Sequence, residues 1–450
     1  MTLSKDELKS RVYREIDSRA DEIVAVAEAV ADIPEPGYRE VKTSRLIAGK
    51  LRGLGLAVRE GLALTGVKAV AAGGYGPGPA VAILGELDAL IVPGHVRADP
   101  TTGAAHACGH NAQVAMMFGA AAGLVGSGVL SGLAGRVVFM AVPAEEYIEV
   151  EYREGLRAEG KIAYLGGKPE LVRLGEFDDV DMAMLTHTMP TRRRLAIGVG
   201  GTNNGCVVKR VQFLGRGAHA GGAPHAGINA LNAAMIALSA IHAQRETFKD
   251  ADTVRVHPII TRGGEAVNIV PADVRLETFV RGRSLEAIRD AEKKVDRCLR
   301  AGALAVGSRV RINTLPGYLP LFNDRRLQAV FRANAEALVG KRRVAPPGYH
   351  STGSTDMGDI SHLMPAIQPV AAGARGTSHG DDYVIEDHEL AVINPAKIMA
   401  ATVVDLLADG AAAGNEVLAR HKPRLTRRQY LELMESLRRE ELFEAAPAEE

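Results

Sequence analysis

The stretch Arg136-Val-Val-Phe-Met-Ala-Val-Pro143-Ala-Glu145-Glu146 runs from a short, unbroken apolar segment straight into two carboxylates. An apolar run of that length, closed by a proline, predicts a strand buried on both faces. The same plan recurs on either side of it. Gly66 to Ala72 and Ala80 to Gly85 read as further buried strands, the second leading into Glu86-Leu-Asp88. Asp181-Met-Ala-Met-Leu-Thr-His187 reads as a strand whose end delivers an imidazole. Helical patterns lie between them, over residues 5 to 32, 44 to 54 and 112 to 124. Strands alternating with helices, with polar groups at the strand ends, predict an α/β sheet with a site along one edge.

The segment His106-Ala-Cys108-Gly-His110 gives that edge its chemistry. A thiolate and an imidazole two residues apart suit one wall of a transition-metal site. On its own the pattern is weak, because cysteine is often a small buried hydrophobe. It gains weight from further donors downstream, in order: Glu145 and Glu146, then His187 in Thr186-His187-Thr-Met-Pro190, then His379 in Gly376-Thr-Ser-His379-Gly380. Donors spread over several segments point to a catalytic centre held between strand ends rather than to a local structural knot. Adjacent residues at a strand end point in different directions. One of the two glutamates is therefore free to hold metal while the other faces water. A divalent ion polarises a carbonyl and brings water's pKa towards neutrality, and a carboxylate can carry the proton to a leaving nitrogen.

Near residue 197 the texture changes. Val207 to Leu214 alternates as a half-buried strand, a glycine-rich loop comes next, and an Ala-rich helix runs from about Gly227 to Gln244. Strands at Thr253 to Thr261 and Asp273 to Val280, a helix from Ser284 to Gly302 and a strand from Arg309 to Asn313 complete a compact α+β module. The expected division is thus 1–196 and 316–450 for an α/β domain and 197–315 for an inserted domain. From about Ala411 the chain reads as charged and helical, ending in an acidic, Ala-rich tail.

Composition narrows the class of protein. With 450 residues, two domains are the default. Lys plus Arg and Asp plus Glu each number 54, a balance that offers no electrostatic footprint for nucleic acid or an anionic membrane. Cys108, Cys206 and Cys298 are too few and too scattered for a disulfide framework, which favours a reducing compartment. The polar start Met1-Thr-Leu-Ser-Lys-Asp-Glu7 has no apolar signal region, and no stretch reads as long and apolar enough to span a bilayer. The expectation is a cytoplasmic protein with no nucleic-acid or membrane partner.

Seven motifs in order carry a family resemblance: Glu86-Leu-Asp88-Ala-Leu90, His106-Ala-Cys-Gly-His-Asn111, Pro143-Ala-Glu-Glu146, His187-x-x-Pro190, Gly217-Ala-His219-Ala220, Gly263-Gly264 with Asn268-Ile-Val-Pro271, and Ser354-Thr-Asp356-Met-Gly-Asp359. Over roughly residues 15 to 410 the chain resembles the M20 metallopeptidase and amidohydrolase family. It is most similar to the aminoacylase-like branch and its aminobenzoyl-glutamate hydrolase group. The resemblance implies a zinc-peptidase-like mixed-sheet catalytic domain with an inserted α+β lid and dimerisation domain. It implies Cys108, His110, Glu146, His187 and His379 as ligands of one or two zinc or manganese ions, with cobalt also suited. Glu145 would be the general base, and Asp88 would orient a ligand from behind. His219 would serve the partner subunit's site as an oxyanion donor. Asn268 and Arg281 would hold the substrate's far end, with His350 and Ser354 lining the cleft. Two departures mark this chain: Gln113 where many relatives carry an imidazole, and Ile91-Val-Pro93-Gly-His95 where relatives have proline directly after Asp-Ala-Leu.

The expected activity is hydrolysis of a C–N bond in small N-acyl amino acids or dipeptide-like amides. The same machinery suits an aminohydrolase releasing ammonia from a substituted aminobenzoate such as a nitroanthranilate, a reading that a single-metal site would favour. A non-catalytic binding subunit would be expected to lack Glu145 or one of the ligands, and all are present. Ser351 and Ser354 have no nucleophile-elbow context, which argues against a serine hydrolase.

Overall fold

The computed structural model describes residues 3–191, 194–346 and 348–444. The chain divides into two compact units, one formed by 1–201, 322–349 and 359–424, the other by 202–321, 350–358 and 425–450. The inserted unit is therefore not one continuous segment. The boundaries expected at 196/197 and 315/316 lie within a few residues of two crossings, but 350–358 and everything from Leu425 group with the inserted unit.

The first unit is built on a six-stranded sheet in the order Val58–Leu62, Gly66–Ala72, Arg136–Val142, Ala80–Glu86, Met182–Met184, Ala366–Ile367. Its first two pairings are antiparallel and the rest parallel. The Ala80–Glu86 strand is buried at every position, as a continuous apolar run between helical layers should be. The helix His110–Gly126 packs against this strand and is buried along almost its whole length. Its small residues permit the close approach: Gly123 lies against Ile16 and Val12, and Gly119 against Ile23 and Ala396. A second sheet joins Val344–Ala345, Ile197–Gly198, Val370–Arg375 and Val384–Ile385, and His187–Pro190 pairs in parallel with Val370–Arg375.

Three expectations are corrected in this unit. The N-terminal pattern is two helices, Lys5–Ser18 and Ala20–Ala31, because Arg19 leaves helical geometry. The strand expected to run to His187 stops at Met184, and His187 opens a strand of the other sheet. One helical run, Glu389–Arg420, is long and apolar enough to cross a membrane by composition alone, but 83% of its most apolar window is buried inside this unit, where it is a core helix.

In the second unit, an antiparallel sheet runs in the order Arg255–Val256, Asp273–Gly282, Gly205–Leu214, Arg309–Pro316, Arg439–Glu444, with Ile259–Arg262 also paired to Asp273–Gly282. Helices Ala230–Ala243 and Leu285–Val306 cover one face, and Asp273–Gly282 alternates strictly between buried and half-buried positions. Asn229 and Ser284 cap the two helices through their side chains. Beyond a kink at 408–411 the chain is helical to Arg420, and in this unit it is helical again over Arg427–Ser436. It then becomes a strand, correcting the expected helical extension; the acidic tail after Glu444 lies outside the described residues. Arg439 on that strand pairs with Glu292 and Asp296, the same carboxylates that hold the buried Lys209.

Candidate metal centre

Three strand ends and one helix start converge at the carboxyl edge of the first unit's main sheet. Asp88 lies just beyond the Ala80–Glu86 strand; its Oδ2 accepts the backbone N–H of Glu146 at 2.9 Å and its Oδ1 lies 3.2 Å from His110 Nδ1. His110 opens its helix after Gly109, which sits at φ +81°. The backbone carbonyl of Asp88 accepts from His110 Nδ1 at 2.8 Å, so the proton is fixed there and Nε2 is turned to the site. His187 is arranged alike, Nδ1 donating to the Thr188 carbonyl at 2.8 Å and Nε2 lying 3.4 Å from Cys108 Sγ. Thr188 Oγ1 donates to the Cys108 carbonyl at 3.2 Å and is bonded to Tyr383 Oη at 2.7 Å, stapling the cysteine turn to the second sheet.

The two adjacent glutamates diverge. Glu146 Oε1 lies 3.3 Å from His379 Nε2, while Glu145 Oε2 is 3.8 Å from His110 Nε2. His379 is held in a left-handed conformation, φ +67°, with its N–H donating to the Ala107 carbonyl at 2.8 Å. Potential ligand atoms of Cys108, His110 and His187 lie within 4.8 Å of one another, and the same holds for Cys108, Glu146 and His379 and for Glu86, His110 and Glu145.

The electrostatics match a cation-binding cluster. Burial works to raise the Cys108 thiol, as does Glu146, but His187 and His110 outweigh them and bring it down to about 6. Burial likewise opposes ionisation of Glu146, yet the charge and hydrogen bond of His379 hold its carboxyl well below the usual range. His379 is pushed up to about 11, chiefly by Glu146. The set is a thiolate, carboxylates and imidazoles, and His110 Nε2 and Glu86 Oε2 are buried without a hydrogen-bond partner. These residues fit a divalent metal: soft sulfur, borderline nitrogen and hard oxygen converge, and the unpartnered atoms face one another across 3.2 Å.

The remaining sequence candidates lie in the second unit. His219 is exposed; its Nδ1 accepts the N–H groups of Gly221 at 3.1 Å and Gly222 at 3.0 Å, which leaves the ring proton on Nε2 as an outward donor. The Asn268 carbonyl accepts from Ala220 N, so the two loops lie side by side. Arg281 stands opposite Arg255 across two strands, its guanidinium 4.9 Å from the centre of the Phe279 ring. His350 has both ring nitrogens engaged, Nδ1 with Thr202 Oγ1 at 2.8 Å and Nε2 with Asn204 and Thr253 at 3.0 Å. Ser354 Oγ is buried and without a partner. In the remodelled stretch of the first unit, His95 is buried, Nε2 bonded to the Tyr383 carbonyl at 2.7 Å and Nδ1 accepting from Arg97 N at 3.0 Å. His106 is buried, and burial first and His110 second lower its pKa to about 3. Sequence reasoning passed over Glu86, although it stands two residues before Asp88. It also passed over Thr188 and Tyr383, which carry no motif.

An α/β unit with a thiolate, imidazoles and paired carboxylates at the carboxyl ends of its strands, and an α+β unit interrupting it, defines the class of divalent-metal hydrolases. The family described as peptidase family M20/M25/M40 matches residues 82–404. The chain belongs to that family and is a hydrolase of amide or peptide bonds. It is 28% identical over 421 residues to an Xaa-Arg dipeptidase of Mus musculus, covering 89% of each chain. Among solved structures, it is similar to an aminobenzoyl-glutamate utilization protein from Klebsiella pneumoniae (TM-score 0.66, 19% identity, covering 87% of this chain and 98% of that one). A Bacillus subtilis protein described as a dinuclear metal-binding peptidase of the M20 family matches with TM-score 0.62 at 20% identity, covering 87% and 99%.

Proposed function

We propose that this hydrolase uses two divalent ions, zinc or manganese, to cleave the amide bond of small N-acyl amino acids or dipeptides. The observation that carries the reading is that two ligand-competent groups meet at one sulfur, Cys108. His110 and His187 would hold one ion with Cys108, and Glu146 and His379 the other. When bound, the ions supply Lewis acidity towards the carbonyl and towards water.

The chain's own residues do the rest. Glu145, whose carboxylate lies beside His110, takes the proton of the attacking water and delivers it to the departing amine. Asp88 holds both the His110 ring and the Glu146 backbone, so the two ligand groups are positioned from one carboxylate. His219 Nε2–H donates to the oxyanion of the neighbouring protomer, and Asn268 and Arg281 hold the substrate's far end. Support for a dimer comes from exposed apolar side chains of the second unit, Met235, Ile236, Ile259, Ile260, Val267 and Ile269, on a helix, an edge strand and a loop. Cys108, Cys206 and Cys298 are buried and none forms a disulfide among the described residues, which suits a reducing, cytoplasmic setting.

The test is a substrate panel. Protein stripped by a chelator and reloaded with zinc, manganese or cobalt is offered N-acyl amino acids, dipeptides including Xaa-Arg, and aminobenzoates. Amine release from the first two classes, lost on stripping and regained on reloading, is expected. Turnover confined to ammonia release from aminobenzoates would replace this reading with the aminohydrolase one.

A further inference from the structure

One charged pair in the first unit has no place in this scheme. Lys168, near the start of the Gly167–Leu174 helix, is wholly buried, and its Nζ lies 2.5 Å from Oε1 of Glu86. Glu86 is wholly buried as well, and its second oxygen is 3.2 Å from His110 Nε2 with no hydrogen-bond partner. Glu86, His110 and Glu145 thus form a third group whose ligand atoms converge.

Burying two opposite charges is not a device for stability, since desolvation of each ion costs several kcal/mol and an apolar pair of similar volume is often as good or better. Nor would the carboxylate be idle without the lysine. An unpartnered oxygen 3.2 Å from a ligand nitrogen is within reach of whatever cation that nitrogen binds. A carboxylate added there would fill the coordination position that a catalytic centre keeps open. The Lys168 ammonium, in direct contact with Oε1, supplies the compensating charge that holds Glu86 where it is.

We propose that Lys168 withholds Glu86 from the metal centre, acting as a positioning residue that keeps the coordination sphere at His110 open. The ammonium engages one carboxylate oxygen and fixes the other beside the imidazole, where it shapes the ligand's surroundings without becoming a ligand. This rests on the reading that His110 binds a divalent ion.

Two variants, loaded with cobalt, test it through the visible spectrum and chelator competition as well as through turnover. Lys168→Met should release Glu86 onto the ion: visible absorption should weaken as coordination number rises, affinity should increase by about tenfold, the scale on which outer residues tune metal sites, and kcat should fall. Glu86→Gln should leave the wild-type spectrum and affinity in place, because the carboxylate is not a ligand while Lys168 is present. Combining the two changes should return the Lys168→Met spectrum to the wild-type one. An unchanged spectrum and affinity in Lys168→Met would make the pair purely structural. A changed spectrum in Glu86→Gln alone would show that Glu86 already binds metal, and would overturn the proposal even if Lys168→Met fails to fold. Wild-type protein that takes up no cobalt would instead remove the metal reading and this role together.

Discussion

Cys108 belongs to both proposed ion sites, whereas His187 and His379 each belong to one. That asymmetry makes the ligand set testable one residue at a time. Cys108→Ala should empty both sites, while His379→Ala should halve the metal content and leave the His110–His187 side occupied; elemental analysis of the purified variants reads this directly. Equal losses in the two variants would show that the groups are not separate. At this scale much of the centre was legible beforehand, because Cys108, His110, Glu145 and Glu146 announce themselves by spacing and by their place after apolar runs. Lys168 was not: a lysine between Gly167 and Pro169 looks like any loop cation until its burial is seen. His350 was legible only as a histidine near serines, and its engagement by Thr202, Asn204 and Thr253 depends on segments far apart in sequence.

Among the elements, the turn at Gly109 links strand-end chemistry to the core. A Cβ there would lie 2.1 Å from Thr188 Oγ1, and the residue's φ of +81° is one that side chains resist. Gly109→Ala should therefore cost about 1–3 kcal/mol in stability and lower metal content, because the displaced turn carries Cys108 and His110. Parental values in both denaturant unfolding and metal analysis would show that the turn tolerates a side chain. The strands were the most readable elements: Gly66–Ala72, Arg136–Val142 and Asp273–Gly282 declare themselves by apolar continuity or strict alternation. Arg439–Glu444 did not, since Arg-Glu-Glu-Leu-Phe-Glu favours helix by composition and becomes a strand through pairing with Arg309–Pro316 and through ion pairs such as Arg300–Glu441. The break at Arg19 has no glycine or proline to mark it.

For the whole molecule, the proposed dimer makes each centre a shared one, Glu145 from one subunit and His219 from the other. Glu145→Gln and His219→Ala should each lose at least about a hundredfold in kcat, the scale of one proton carrier or one oxyanion donor. Mixing the two inactive proteins should restore part of the activity, because some heterodimers hold one centre with both residues intact. No recovery, in mixtures where heterodimers are shown to form, would assign His219 to its own loop alone.

The strand Arg439–Glu444 has a consequence for how this gene can fail. It occupies the outer edge of the second unit's sheet, and its acidic side chains Glu440 and Glu444 meet Arg311 and Arg309 of the neighbouring strand. A stop codon just after Arg424 would leave all the candidate ligands, the base and the helices Ala230–Ala243 and Leu285–Val306 in the product, and would remove the helix Arg427–Ser436. It would also strip the Arg309–Pro316 edge bare and take Arg439 from Glu292 and Asp296. Bare edges recruit other strands. Such a truncated product should be translated in full measure yet be recovered largely in the insoluble fraction, and soluble, monodisperse yield equal to the parent's would show the edge to be harmless. For a gene of this design, a nonsense mutation far downstream of the chemistry would be a null allele by aggregation rather than by lost catalysis.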